Sequence, residues 1–252
     1  LYARARAAEP AVASPGGHGP APTPPPAVAS AAAAPTSPFA AYVELRADGG
    51  VHITCPQLEF GQGVFDALPR IVADEMDADW ARVVVHNAYA DAAFHSPVNR
   101  RQRVGGSDSV MAYRDALRRV GAAAREMLVA AAATQWNVAP AECATQSGQV
   151  LHAPSGRALG YGELAAAAAA LPVPVQPALK SPAQLRLTGQ RLSRKDTPSK
   201  VDGSAVFGID VREPGMLHAA LRRSSSLGAK LKRFDAASVR ARPGVVAVVP
   251  RD

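Results

Sequence analysis

At roughly 150 residues per domain, 252 residues make room for one or two domains. Hydrophobic residues at 48% and charged residues at 19% exclude wholesale disorder. Two cysteines, Cys55 and Cys143, exclude a disulfide framework and a four-cysteine zinc site, and no run of about 18 uninterrupted apolar residues marks a membrane span. The net charge of +7 is uneven: residues 181–252 hold 14 Lys and Arg against 6 Asp and Glu, a net of +8, so residues 1–180 sit near −1. A basic third could meet nucleic acid or an acidic protein partner. At 5%, aromatics are too few for a base-stacking platform, and no helix-turn-helix, zinc-finger or RNP signature appears.

The chain opens on Leu1, and residues 1–9 (LYARARAAE) carry small residues at an A-x-A spacing, Ala5-Arg6-Ala7. That fits the tail of an export signal as well as ordinary Ala/Arg-rich sequence. From Pro10 to Val43 there is no Asp, Glu, Lys or Arg, and residues 10–38 hold nine of the 22 prolines. Such a segment buries too little side chain to offset its ordering entropy, and reads as an extended linker leaning to polyproline II. The fold is expected to begin near Phe39.

Tyr42–Arg46 and Val51–Cys55 are β-prone runs joined by Ala47-Asp48-Gly49-Gly50, a hairpin signal. Val64, Leu68, Ile71, Val72 and Met76 follow at helical spacing; Pro69 predicts a kink or a start near it. Arg82–His86 is the next strand and 89–104 a loop. A long helix is predicted from Ser107 or Ser109 to about Ala133, with one of those serines as cap. Its apolar face is Val110, Leu117, Val120, Ala124, Met127 and Leu128. Ala144-Thr145 and Gln149–His152 suggest a second hairpin around Gly148, and Gly162–Leu171 a helix. Pro172, Pro174, Pro177 and Pro182 mark a connector. Beyond about Arg186, strands are expected at Val206–Val211, Leu217–Arg222, Lys230–Phe234 and Val245–Val249, with a short helix at Asp235–Arg240. A lone terminal strand needs a partner, expected beyond Asp252. The class is α+β.

Two glycine-rich loops carry the chemistry. Gly61-Gln62-Gly63 lies between a hairpin and a helix. Glycines admit a ligand close to the backbone, a helix N-terminus offers N–H donors to an anion, and Gln62 brings a donor and an acceptor that suit a heterocycle edge. A bare G-x-G equally fits a plain turn, and no third glycine completes a Rossmann fingerprint. Gly105-Gly106-Ser107-Asp108-Ser109 precedes the long helix and suits a phosphate, provided Asp108 faces away. It also fits a simple serine-capped loop. Together the two loops suggest a ligand with a heterocycle and a diphosphate. The six histidines are scattered with no H-x-x-x-H pair, His86 reads as a surface or satisfied histidine, Cys55 as packing, and Asp74, Glu75, Asp77 and Asp79 as a solvated helix end.

At Cys55–Trp80 the sequence resembles the molybdenum hydroxylases of the xanthine dehydrogenase/aldehyde oxidase superfamily, nearest to the large subunit of the isoquinoline 1-oxidoreductase type. The family's Glu-Met-Gly-Gln-Gly segment, which contacts the molybdopterin, corresponds to Glu59-Phe60-Gly61-Gln62-Gly63, with Phe60 for the usual Met. Its T-G-G-S-x-S segment, which helps bind the dinucleotide extension, corresponds to Val104-Gly105-Gly106-Ser107-Asp108-Ser109, with Val104 for a hydroxyl residue. Asp196–Gly203, Ile209-Asp210, Pro214–Ala219 and Pro243-Gly244-Val245 are similar to the start of the superfamily's α/β hammerhead domain. The G-Q-G segment precedes that domain here, as in the isoquinoline-oxidoreductase type.

The resemblance implies cofactor contacts at Phe60, Gly61, Gln62, Gly63, Gly105, Gly106, Ser107 and Ser109. It implies three stretches: 1–38, signal remnant and linker; 39–180, a partial molybdopterin-dinucleotide-binding segment; 186–252, an incomplete α/β hammerhead. The implied enzyme hydroxylates an N-heterocycle or oxidises an aldehyde with oxygen from water. Its cofactor would be molybdopterin cytosine dinucleotide, with 2Fe-2S clusters on a small partner subunit. The family's catalytic glutamate lies near the end of a longer subunit, so no acidic residue here takes that role. A twin-arginine signal upstream of Leu1, and hence a periplasmic location, is the matching expectation, with cytoplasmic as the alternative. A truncated, non-catalytic interaction fragment is the competing reading, and a basic nucleic-acid module a further one.

Overall fold

The computed structural model describes residues 2–4 and 41–250. The expectations for the Ala5-Arg6-Ala7 spacing and the Pro/Ala linker therefore lie outside the described residues. The described residues divide into two units, 41–204 and a second made of 2–4 with 205–250.

In the larger unit, β2 (Val43–Leu45) and β3 (Val51–Cys55) form the expected antiparallel hairpin, with β1 (Tyr2–Arg4) in the other unit. β3 then crosses through α1 (Val64–Met76) to β4 (Val83–Asn87), which pairs parallel to β3. The sequence pattern alone does not announce this single βαβ unit. The sheet order is β2-β3-β4. Val51, Ile53 and Cys55 alternate onto the core, as period two requires. Helix α1 runs through Pro69, which lies six residues in and removes only one ladder bond, so it neither breaks nor starts there.

α2 (Ser109–Trp136) lies parallel to α1: their N-terminal ends meet through Gln57 and Ser109, and further along Gly121 meets Val72 and Glu75. A Cβ at Gly121 would stand 2.4 Å from the Val72 carbonyl oxygen, so only glycine admits this approach. Leu117, Val120 and Leu128 are buried as expected, and Tyr113 joins them, but Val110 faces out. The serine cap is not formed. Asp108 holds the cap position without a side-chain bond, Ser107 lies in the left-handed region at φ 56°, and Ser109 is the first helical residue.

β5 (Ala144–Gln146) and β6 (Gln149–His152) make the second hairpin, and β7 (Arg157–Gly160) adds a third strand. α3 (Tyr161–Ala169) follows. A Cβ at Gly162 would meet the Ala47 oxygen at 2.5 Å, so α3 starts hard against the β2–β3 turn.

The acidic end of α1 is buried, which corrects the expectation of a solvated helix end: Asp74 and Glu75 are 1% and 0% exposed. Arg118 and Arg125 of α2 reach the Glu75 carboxylate, and the Lys180 backbone N–H donates to it. Asp74 accepts from the backbone of Arg186, Leu187 and Thr188. Burial alone would raise the Asp74 carboxyl, but these bonds and the Thr188 hydroxyl hold it below the usual range. Lys180 pairs with Asp77 at 2.6 Å. Buried carboxylates persist only when paired in this way. The proline connector is thereby strapped onto α1, so residues 186–204, grouped in sequence with the C-terminal piece, lie in the larger unit with α4 (Thr197–Val201).

In the smaller unit, β1 pairs antiparallel with β8 (His218–Ala220) and β9 (Val245–Val248), and α5 (Ala236–Arg240) precedes β9. Strands expected at Val206–Val211 and Lys230–Phe234 are absent. Ile209, Leu221 and Leu231 are exposed, and Val248 is the one buried apolar side chain among this unit's described residues. No second layer among those residues covers these runs, and apolar alternation makes a strand only against a surface. The mixed α+β character holds, while nothing in this small sheet establishes a hammerhead.

Candidate functional site

β3 leads from Cys55 straight into the loop at 56–63, and α1 begins at Val64. The second loop, 103–108, leads into α2. Because β3 and β4 are parallel and α1 and α2 are parallel, both loops stand at the carboxyl end of the strands and at the positive ends of two helix dipoles. Open α/β layers take ligands at that edge.

Gln57 ties the loops together, although the sequence did not single it out. It is 2% exposed. Its Oε1 accepts from Ser109 Oγ at 3.1 Å, and its Nε2 donates to Tyr113 Oη at 3.1 Å. The Tyr113 hydroxyl donates to the Phe94 carbonyl at 2.6 Å, and Gln102 Nε2 donates to the Pro56 carbonyl at 3.2 Å. A glutamine next to a proline in an apolar context was the available signal.

The G-Q-G loop is self-satisfied. Gly61 N–H and Gly63 N–H donate to Glu59 Oε1 at 2.7 and 3.0 Å, and Phe65 N–H to Glu59 Oε2 at 3.0 Å. Burial pushes the Glu59 carboxyl up, but these N–H groups and Arg194 outweigh it and hold the group below its ordinary value. Gln62 turns inward too: its Nε2 donates to the Leu58 carbonyl and its Oε1 accepts from Phe60 N–H. These donors therefore do not stand open to an anion, contrary to the expectation from the glycine spacing. What the loop presents is Phe60, 69% exposed, and the bare face of Gly61, where an added Cβ would meet nothing within 4 Å.

Arg194 braces the loop from outside. It donates to the Gly61 carbonyl at 3.3 Å, pairs with Glu59 at 3.1 Å and grips Asp196 through two bonds. Beside it, Lys195 N–H donates to Asp66 Oδ1.

The second loop has the opposite character. Gly105 and Gly106 have φ of 153° and 70°, and Ser107 is exposed. The Arg103 guanidinium runs beside the glycine pair, 3.7 and 3.6 Å from where their Cβ atoms would sit. Asp108 is turned onto Asn99 Nδ2 at 3.2 Å and Arg103 Nη2 at 3.3 Å, which offsets its charge. Ser109 is committed to Gln57. The donors left open are one hydroxyl, glycine backbone and the edge of the Arg103 guanidinium that does not face Asp108, all at a helix N-terminus, and this set matches a phosphate. A mostly apolar cavity of about 680 Å³, lined by Leu45, Val120, Met127 and Leu171 among others, includes no residue of either loop.

Cys55 is buried, its thiol donates to the Gln57 and Val64 carbonyls, and burial pushes it up to about 11. That fits the packing role and not a nucleophile. No cluster of three or more His, Cys, Asp or Glu suited to a metal ion occurs among the described residues.

The family model for the molybdopterin cofactor-binding domain matches residues 2–211. The chain belongs to that family. It is 38% identical over 255 residues to the beta subunit of the isoquinoline 1-oxidoreductase of Brevundimonas diminuta, covering 84% of this chain and 33% of that protein. It is 30% identical over 207 residues to a membrane-bound aldehyde dehydrogenase (pyrroloquinoline-quinone) of Gluconacetobacter polyoxogenes, covering 77% of the chain and 25% of the relative. It is 28% identical over 219 residues to a nicotinate dehydrogenase subunit of Pseudomonas putida strain KT2440, covering 83% and 18%. The chain thus spans a third or less of the length of these curated relatives. No helix of the described residues is long and apolar enough to cross a membrane.

Proposed function

We propose that this chain forms the cofactor-edge part of the large subunit of a molybdenum hydroxylase, one that hydroxylates an N-heterocycle or oxidises an aldehyde with oxygen from water. The observation that carries the reading is the joining of the two glycine loops through buried Gln57, at the N-termini of two parallel helices. Relatives that are oxidoreductases of heterocycles and aldehydes support it.

The residues fit the cofactor unequally. Arg103, Ser107 and the Gly105-Gly106 backbone hold an anionic diphosphate; Phe60 and Gly61 offer an apolar, close-approach surface for the flat pterin. Gln62 and Glu59 keep that surface in shape, and Arg194 locks it. Ser109 acts through Gln57 by fixing where α2 begins. When bound, the molybdenum centre supplies the two-electron oxidation. This chain's residues bind and orient its organic part, and none of them is assigned as the base. The dinucleotide is proposed to carry cytosine, electrons to leave through a small subunit with 2Fe-2S clusters, and the enzyme to work in the periplasm after twin-arginine export.

The test is cofactor content in Arg103→Ala and Ser107→Ala variants of the purified enzyme. Molybdenum by mass spectrometry and nucleotide released by acid should fall together, with cytosine as the base. Full molybdenum and nucleotide content in both variants would overturn the assignment of this loop.

A further inference from the structure

The sequence shows six histidines with no metal-binding spacing, yet the sheet brings two of them into contact. β3 and β4 are parallel neighbours with His52 opposite Val84 and Thr54 opposite His86. His52 and His86 are therefore diagonal neighbours on the face turned away from Val51, Ile53 and Val83. Their rings are nearly parallel, at 17°, with centroids 4.9 Å apart, and His52 Nδ1 lies 2.7 Å from His86 Nε2. His86 is exposed and His52 half-buried, so the pair is open to solvent. Neither the cofactor loops nor the βαβ core uses it.

We propose that His52 and His86 form a two-imidazole chelate for a borderline divalent cation, Cu²⁺ above all. At 2.7 Å one ring nitrogen carries a proton and the other its lone pair, so the two are already aimed at each other's position. Metal–imidazole bonds are about 2.0 Å, and two such nitrogens at a right angle around one ion stand about 2.8 Å apart. The pair thus has the spacing of neighbouring ligands, and each ring turns by roughly 45° from the head-on alignment so that both lone pairs converge on one ion in place of the shared proton. The outward nitrogens, His52 Nε2 and His86 Nδ1, have no hydrogen-bond partner among the described residues. The displaced proton can move there, so the neutral pair binds the ion with no net proton release.

The surroundings favour a cation weakly and an N,O-ligand metal in particular. Glu44 of β2 stands directly opposite His52, on the same face. Asp48 lies in the adjoining turn, and its carboxylate accepts from Gly50 N–H. Arg46, paired with Glu44 at 3.1 Å, is the opposing charge. Burial first, then Arg46 and His86, lower the His52 pKa, which favours the neutral ligand form. Two imidazoles completed by water suit a tetragonal copper site, and Cu²⁺ binds such donors more tightly than Ni²⁺ or Zn²⁺.

The experiment titrates the purified, chelator-treated protein with Cu²⁺ by calorimetry and reads the bound ion by electron paramagnetic resonance. The expected result is one ion held with the coupling of two nitrogens. That site is lost in His52→Ala and in His86→Ala, while His95→Ala, an exposed histidine outside the pair, keeps it. Circular dichroism of each variant checks the fold, and His52→Gln replaces His52→Ala if the half-buried position tolerates alanine poorly. Absence of binding in the wild type, or binding that survives loss of either His52 or His86, overturns the proposal. Molybdenum content has no bearing on the outcome, so this proposal stands or falls apart from the cofactor reading.

Discussion

Ser109 Oγ donates to Gln57 Oε1 across 3.1 Å, and that bond joins the start of α2 to the loop that starts α1. Residues 52 apart in the chain are thereby fixed in one arrangement. Gln57→Leu keeps the volume but removes both bonds, leaving the Ser109 hydroxyl without its acceptor and the Tyr113 hydroxyl without the bond it accepts. The expected cost is about 1–3 kcal/mol, read as a lower urea midpoint. Molybdenum content should fall with it. A variant with wild-type stability and full molybdenum would show that the two loops are positioned independently.

Gly121 and Val72 make a second contact that tolerates no side chain. In an exposed helix, alanine for glycine adds up to about 1 kcal/mol. Here the methyl would press on the Val72 carbonyl at 2.4 Å and on Glu75 Cβ at 2.7 Å. Gly121→Ala is therefore expected to destabilise by about 1–3 kcal/mol despite the helical gain. Urea unfolding gives the sign directly, and stabilisation would mean that the helices can part without cost.

Local pattern made much of this fold legible. The 42–55 hairpin, the α1 face of Leu68, Val72 and Met76, and the tight turn at Ser147-Gly148 each depend on neighbours within a few residues. What was hidden depends on distant partners. Glu75 looks solvated until Arg118 and Arg125 arrive from 43 and 50 residues away, and Asp74 until the backbone of Arg186–Thr188 arrives from 112 to 114 away. His52 and His86 look scattered until the crossover through α1 lays their strands side by side. In the site, both glycine loops were readable. The commitment of the Gly61 and Gly63 N–H groups to Glu59 was not, because a glutamate two residues upstream carries no pattern of its own. Val206–Val211 erred the other way: its composition is strand-like, but among the described residues nothing covers it.

The Glu75 carboxylate is the most demanding group in the larger unit. It is wholly buried, with Arg118 at 2.7 Å, Arg125 at 3.3 Å and the Lys180 N–H at 3.1 Å. Glu75→Ala leaves two guanidinium groups, each mostly buried, without their anion. Loss of one partner of such a cluster costs about 3–5 kcal/mol. The connector at 178–188 should loosen first, since Arg118 and Arg125 also donate to the Lys180 and Ala178 carbonyls. Hydrogen exchange should show faster amides at 180 and 186–188 than in the wild type. Unchanged exchange there would mean that Asp74 and Asp77 hold the strap without Glu75.

Acid should release the brace on the G-Q-G loop. Hydrogen bonds from Arg194 at 2.9 and 2.7 Å, with Lys200 beside them, hold the Asp196 carboxyl down at about 2. An unfolded aspartate titrates near 3.9. A group depressed in the folded state contributes stability that is complete above its unfolded value and is lost as pH falls through its folded one. The window is therefore about pH 4 down to about pH 2, and the contribution is on the order of 1 kcal/mol after solvent screening. Asp196→Asn should lower the urea midpoint at pH 7 and narrow its gap to the wild type near pH 2. It should also free Arg194 from one of its anchors, so that the Gly61 carbonyl loses a fixed donor and the loop amides exchange faster at neutral pH. A constant gap between pH 7 and pH 2 would show that the Asp196 charge adds nothing and that the loop is held by Glu59.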